Sequence, residues 1–142
     1  MTDSFVTSIT VPRRLDAVRP AASFLVDTAR SLDVPAASNS LFENAIVEAL
    51  NNAVQHNLQD PDASLHCEFE LHGRLLTIRV LDEAARSPAE LTVPAAGTPI
   101  AADTWQQIPE SGYGLYLIRA VFPDVRAVRR NGRHGVEMQL TF

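Results

Sequence analysis

Three groups of residues in this sequence have types and spacings suited to chemistry. Glu48, Asn52 and His56 stand four residues apart. Each step of four turns a helix by about 40°, so on a helix they form one slowly drifting row. The row interleaves with Leu41, Ala45 and Ala49 along the edge of an apolar stripe. A carboxylate, an amide and an imidazole placed there need partners, because burying a polar group without one costs about 1–3 kcal/mol. Two readings fit: a mutually hydrogen-bonded core edge, or a functional site. Asp82 is the second group. It continues the inward phase of Leu76, Ile78 and Val80 and points a carboxylate toward the core at a strand end beside a long loop. That is either a ligand site or an anchor for residues 83–88. The third is Ser111-Gly112-Tyr113-Gly114-Leu115. Two glycines ahead of a helix expose its N-terminal amides, where the dipole favours anions, although a plain turn has the same signature.

Composition narrows the chemistry. The chain has 142 residues and no lysine; all twelve of its Lys+Arg side chains are arginines. Schiff-base lysines, the P-loop lysine and the strand lysine of eukaryotic protein kinases are therefore excluded. Any phosphate must be held by arginine, backbone N–H groups or a metal ion. A formal net charge of −5 argues against a general nucleic-acid binder. The single Cys67 excludes an internal disulfide and a multi-cysteine zinc site. No apolar run resembles a signal peptide or a membrane span, so a cytoplasmic location is expected. The length suits one domain, 1–142.

The elements that must position these groups follow from periodicity. Ser4 to Val11 alternates as a strand, and Arg14 to Leu32 carries apolar residues at helical spacing, with a start near Asp16 or Arg19. The central helix spans about 40–57, with Ser40 as N-cap and Glu43 completing a capping box. Two strands follow: Leu65, Cys67, Phe69 and Leu71 face one way, His66, Glu68, Glu70 and His72 the other; then Leu76, Ile78, Val80 and Asp82 oppose Leu75, Thr77, Arg79 and Leu81. A proline-rich, aperiodic stretch precedes a short helix, Leu115 to Val121. A closing hairpin at about 124–142 turns at Asn131-Gly132. The order β-α-α-β-β-loop-α-β-β predicts an α+β two-layer sandwich, helices on one face of a mixed, mostly antiparallel sheet.

Taken together, Glu48-x-x-x-Asn52-x-x-x-His56, Asp82 at a strand end, a long loop and Gly112-x-Gly114 on a helix resemble the GHKL (Bergerat-fold) ATP-binding domain. Within it, the chain is similar to the short bacterial anti-sigma-factor serine kinases of the RsbW type. The resemblance implies ATP and magnesium as cofactors. It implies that Asn52 coordinates a magnesium ion on the phosphates and that Glu48 is the general base for a partner's serine or threonine hydroxyl. It further implies that Asp82 accepts the adenine amino group, that Gly112 and Gly114 with the amides of Tyr113 and Leu115 cradle phosphate, and that about 84–111 forms the ATP lid. His56 joins this nucleotide site as the third member of its row. The implied partners are an anti-anti-sigma (STAS-like) protein, a sigma factor and a second copy of the chain.

One departure stands out. The family's Asp-x-Gly-x-Gly box reads Asp82-Glu83-Ala84-Ala85-Arg86 here. Glycine lets the backbone approach the base closely. Ala84 adds a methyl there, and Arg86 adds a cation that either reaches a phosphate or fills the pocket. The alternative function is therefore a nucleotide-independent partner-binding module of the same fold. Four smaller features complete the reading. His66, His72, Glu68 and Glu70 form a solvated strand face or a metal site. Arg126, Arg129, Arg130 and Arg133 make a basic patch at the last hairpin. Arg13 and Arg14 open the first helix as charges available to an antagonist. Trp105, with Ile100 and Ile108, lies in the lid region as a cover for the pocket or a partner.

Overall fold

The computed structural model describes residues 4–55, 63–82 and 111–142, without the side chains of 111–115. Its elements are β1 (Ser4–Pro12), α1 (Val18–Ser31), α2 (Ser40–Gln55), β2 (Ser64–His72), β3 (Leu75–Asp82), α3 (Ser111–Val121), β4 (Asp124–Arg130) and β5 (Arg133–Thr141). Short 3-10 turns at Leu15–Ala17 and Pro35–Ser38 lead into α1 and α2. The turn at Leu15–Ala17 reconciles the two starts expected for the first helix, and Pro20 sits in the first turn of α1, where its missing N–H costs nothing.

The strands form one sheet in the order β1-β2-β3-β5-β4. Every pairing among the described residues is antiparallel, so the mostly antiparallel sheet expected from the element order is found, with no parallel pair among those residues. Two of the four pairings, β2–β3 and β4–β5, are hairpins and so antiparallel by construction, whereas β1 and β2 pair across the two helices between them. The β4–β5 hairpin closes on Asn131 (φ 53°) and Gly132 (φ 77°), the two positive-φ positions of a type I′ turn.

The helices cover one face. Leu25, Val26 and Ala29 of α1 and Phe42, Ile46 and Leu50 of α2 meet Cys67 and Phe69 of β2, Ile78 of β3 and Met138 of β5 in a single apolar core. Phe42 and Phe122 pack ring to ring at 5.5 Å. The N-cap of α2 differs from expectation. Asn39, in extended conformation (φ −98°, ψ 133°), accepts the Leu41 N–H on Oδ1 at 2.9 Å. Asn39 therefore does the work assigned to Ser40, which is already the first helical residue.

Sheet register depends on one close approach. Gly135 stands opposite Leu81, and a Cβ built there would lie 1.8 Å from the Val80 carbonyl oxygen. Only glycine lets β5 lie this close to β3 beside the strand end that carries Asp82.

Candidate nucleotide site

Asp82 ends β3 between Leu65 of β2 and His134 of β5. The inward phase read from Leu76, Ile78 and Val80 thus continues to it, and its side chain is 16% exposed. Arg13 approaches the same place from β1. Its backbone N–H donates to the Ala63 carbonyl at 3.0 Å, which carries the strand pairing one step past Pro12. The alternation Ile9, Val11, Arg13 then turns the guanidinium inward, and the residue is buried. Nε lies 3.8 Å from Asp82 Oδ1, and Nη1 donates to the Val54 carbonyl at 3.5 Å. This corrects the reading of Arg13 as a charge displayed to an antagonist. Arg14 is the exposed member of the pair and faces Asp16 at 3.2 Å.

His134 was not singled out in the sequence. It is only 7% exposed, stands directly opposite Asp82, and its buried Nδ1 has no hydrogen-bond partner. The signal was available, because His134 shares the alternation of Val136 and Met138. A buried polar atom without a partner is costly in a finished core and is commonly explained at a site that receives a ligand.

The contact from Arg13 to Val54 brings the last turn of α2, close to Asn52, to this end of the sheet. Glu48 and Asn52 are both half-buried, one turn apart, beside the buried Ala45, Ala49 and Leu50. The placement matches the edge position deduced from periodicity. α3 packs along α2, and Phe122, just past its end, meets Phe42 at the start of α2. α3 therefore runs back along α2, and its first turn lies toward the Asn52 end. That turn begins at Ser111, four residues before the expected start at Leu115. Gly112, Tyr113 and Gly114 are thus inside the helix. The Leu115 N–H is committed to the Ser111 carbonyl by the helical pattern, and it is the amides of a helix's first turn that serve an outside acceptor. His56, Arg86, Trp105 and the segment about 84–110 lie outside the described residues.

The opposite face of the sheet is a second polar assembly. Arg79 donates from Nε to Glu137 Oε2 at 2.7 Å, and from Nη1 to Glu70 Oε2 at 2.7 Å and Glu68 Oε1 at 3.2 Å. Arg130 reaches Glu68 Oε1 at 3.3 Å, and Arg126 reaches Glu137 Oε1 at 3.1 Å. Burial opposes the charged guanidinium of Arg79, but the hydrogen bonds to Glu137 and Glu70 outweigh it and hold its pKa above the ordinary arginine value. The strand face expected to be merely solvated is therefore an ion-pair network, and Arg126 and Arg130 of the basic patch belong to it. His66 pairs with Thr10 Oγ1 at 2.9 Å and His72 with Ser4 Oγ at 3.0 Å. Among the described residues no group of three His, Cys, Asp or Glu side chains is placed to hold a metal ion, so the metal-site reading of this face is not supported.

Three segments that carry chemistry thus converge at one end of the two-layer fold: the C-terminal half of α2, the end of β3, and the first turn of α3. A family model described as the histidine kinase-like ATPase domain matches residues 11–142. The chain belongs to that family. No curated protein sequence matches it. The match spans nearly all of this ATPase-like domain, from the end of β1 through β5, and its α+β architecture is that of the GHKL fold. Domains of this family bind ATP, usually with magnesium. No helix among the described residues is long and apolar enough to cross a membrane.

Proposed function

We propose that this ATPase-like domain is an ATP- and magnesium-dependent serine/threonine-protein kinase of the anti-sigma, RsbW type. Its substrate would be a small STAS-like anti-anti-sigma protein. A sigma factor would be its second partner, and a homodimer its working form. The supporting observation is the convergence of Asp82, the Asn52 turn of α2 and the N-terminal turn of α3 at one end of the fold, with the unpartnered Nδ1 of His134 beside Asp82. The donor set suits the ligand. Magnesium prefers oxygen, which Asn52 supplies from its amide carbonyl. A carboxylate such as Asp82 is an acceptor for an exocyclic amino group. Free helix-terminal amides bind phosphate without lysine.

Bound MgATP supplies the transferable phosphoryl group. The protein's own residues do the rest. Asn52 holds the magnesium. Asp82 reads the base. The first turn of α3, with Gly112, Tyr113 and Gly114, holds phosphate. Glu48 accepts the proton of the partner's hydroxyl on its carboxylate, as a positioned base does in this class of transfer.

A second reading keeps the fold and drops the nucleotide: a partner-binding module with a degenerate pocket. Ala84 and Arg86, in place of the family's two glycines, favour it. Calorimetric titration with ATP and ADP in magnesium separates the two. Saturable binding, abolished by Asn52→Ala, supports the kinase. No heat at millimolar nucleotide from a folded sample leaves the binding module. Phosphotransfer is read separately: Glu48→Ala keeps ATP and loses transfer to the antagonist, and transfer at the wild-type rate would remove Glu48 from the base role.

A further inference from the structure

We infer that Arg13 is a positioning residue for base recognition, acting through Asp82; the inference rests on the nucleotide reading above. Three observations carry it. Arg13 is a buried cation, and burying a guanidinium is expensive unless it is paired. Its Nε stands 3.8 Å from Asp82 Oδ1, at the strand end where the base carboxylate is needed. Its Nη1 reaches the Val54 carbonyl in the last turn of α2, two residues beyond Asn52.

A carboxylate at a strand end can rotate about its terminal torsion and present either oxygen in many directions. A buried guanidinium anchored to the Val54 carbonyl and standing 3.8 Å from Oδ1 biases that rotation by charge, drawing Oδ1 toward itself without a direct hydrogen bond from Nε. The ion pair does not exhaust the carboxylate, which offers about four lone-pair sites over its two oxygens. The same guanidinium meets the Val54 carbonyl near the C-terminus of α2, where a cation is favoured by the helix dipole. Arg13 thereby ties the base-reading carboxylate to the helix that carries Asn52, so the base end and the magnesium end of the site are set by one side chain. Lysine does this only in part, because an ammonium supplies the charge without the planar, multi-donor group.

The test compares ATP with purine riboside triphosphate, which has the same sugar and phosphates but lacks the 6-amino group. Both are titrated with magnesium into the full chain. Wild type should prefer ATP by about tenfold or more, as a site that hydrogen-bonds a polar substituent rejects the analogue without it. Arg13→Met should bring the two affinities together, mainly by weakening ATP, with far-UV circular dichroism unchanged. Arg13→Lys should give an intermediate ratio and serves as the readout if the methionine variant does not fold. An unchanged ratio in the variant that folds overturns the inference, even if both affinities fall, because equal weakening is what a purely structural arginine produces. Absence of binding by wild type to either nucleotide overturns the ATP reading itself, and this inference with it.

Discussion

Arg79 and Glu137 face each other across β3 and β5, Nε to Oε2 at 2.7 Å, on the side of the sheet that the helices leave open. The side chains are 9% and 11% exposed, and Glu68 and Glu70 close on the same guanidinium. One arginine thus bridges three carboxylates, and Arg130 and Arg126 at the rim bring the cluster to three cations against three acids. Removing it leaves three acids together with too few cations. Breaking a buried pair costs about 3–5 kcal/mol, and partial solvation of Glu68 and Glu70 reduces this. Arg79→Met should therefore lower unfolding free energy by about 3 kcal/mol in urea titration. Added salt should recover part of the loss by screening the carboxylates. A loss within the ordinary surface range of about 0.5 kcal/mol would show that the network contributes little.

The cap of α2 offers a sharper contrast. Asn39→Ala should cost about 1 kcal/mol, since it strands the Leu41 N–H. Ser40→Ala should be nearly neutral, because Ser40 is the first residue of the helix rather than its cap. Thermal unfolding of the two variants side by side checks this. The reverse order would restore Ser40 as the cap.

Cys67 gives a pH dependence with a definite sign. Burial pushes its thiol from 9.0 up to about 12. The folded state keeps the proton while the unfolded chain releases it near 9.0, so the unfolded state binds fewer protons in that window. The contribution is fully present below pH 9.0 and is lost progressively as pH rises toward about 12. The slope approaches, at most, about 1.4 kcal/mol per pH unit. Urea titrations from pH 8 to 11 should show this fall in wild type, and Cys67→Ala should remove that part of the slope. Parallel pH profiles in the two proteins would rule the thiol out as its source.

Much of the fold was legible because its signals are local. The alternation of Leu65, Cys67, Phe69 and Leu71, the stripe through Phe42, Ala45, Ile46 and Ala49, and the Asn131-Gly132 turn each depend on a few neighbouring residues, and each recurs in the structure. The inward phase of Asp82 was legible for the same reason. The cap was misassigned because Asn39 and Ser40 are both good capping residues, and only the backbone angles at 39 decide between them. Glu68 and Glu70, with His66 and His72, read as a wet face because a period of two says which residues share a side but not that Arg79 stands on the neighbouring strand.

The sequence by itself determined the element order, the class of the fold and the spacing of Glu48, Asn52 and Asp82, since these follow from hydrophobic period and chain order. Tertiary structure decided what those residues meet. Strand register placed His134 opposite Asp82 and Glu137 opposite Arg79. One extra step of β1–β2 pairing beyond Pro12 turned Arg13 inward to Asp82 and Val54. Packing of α3 back along α2 brought its first turn toward the Asn52 end. Each of these is a contact between residues far apart in the chain. It is fixed by how sheet and helices bury their shared apolar face, and no local pattern encodes it.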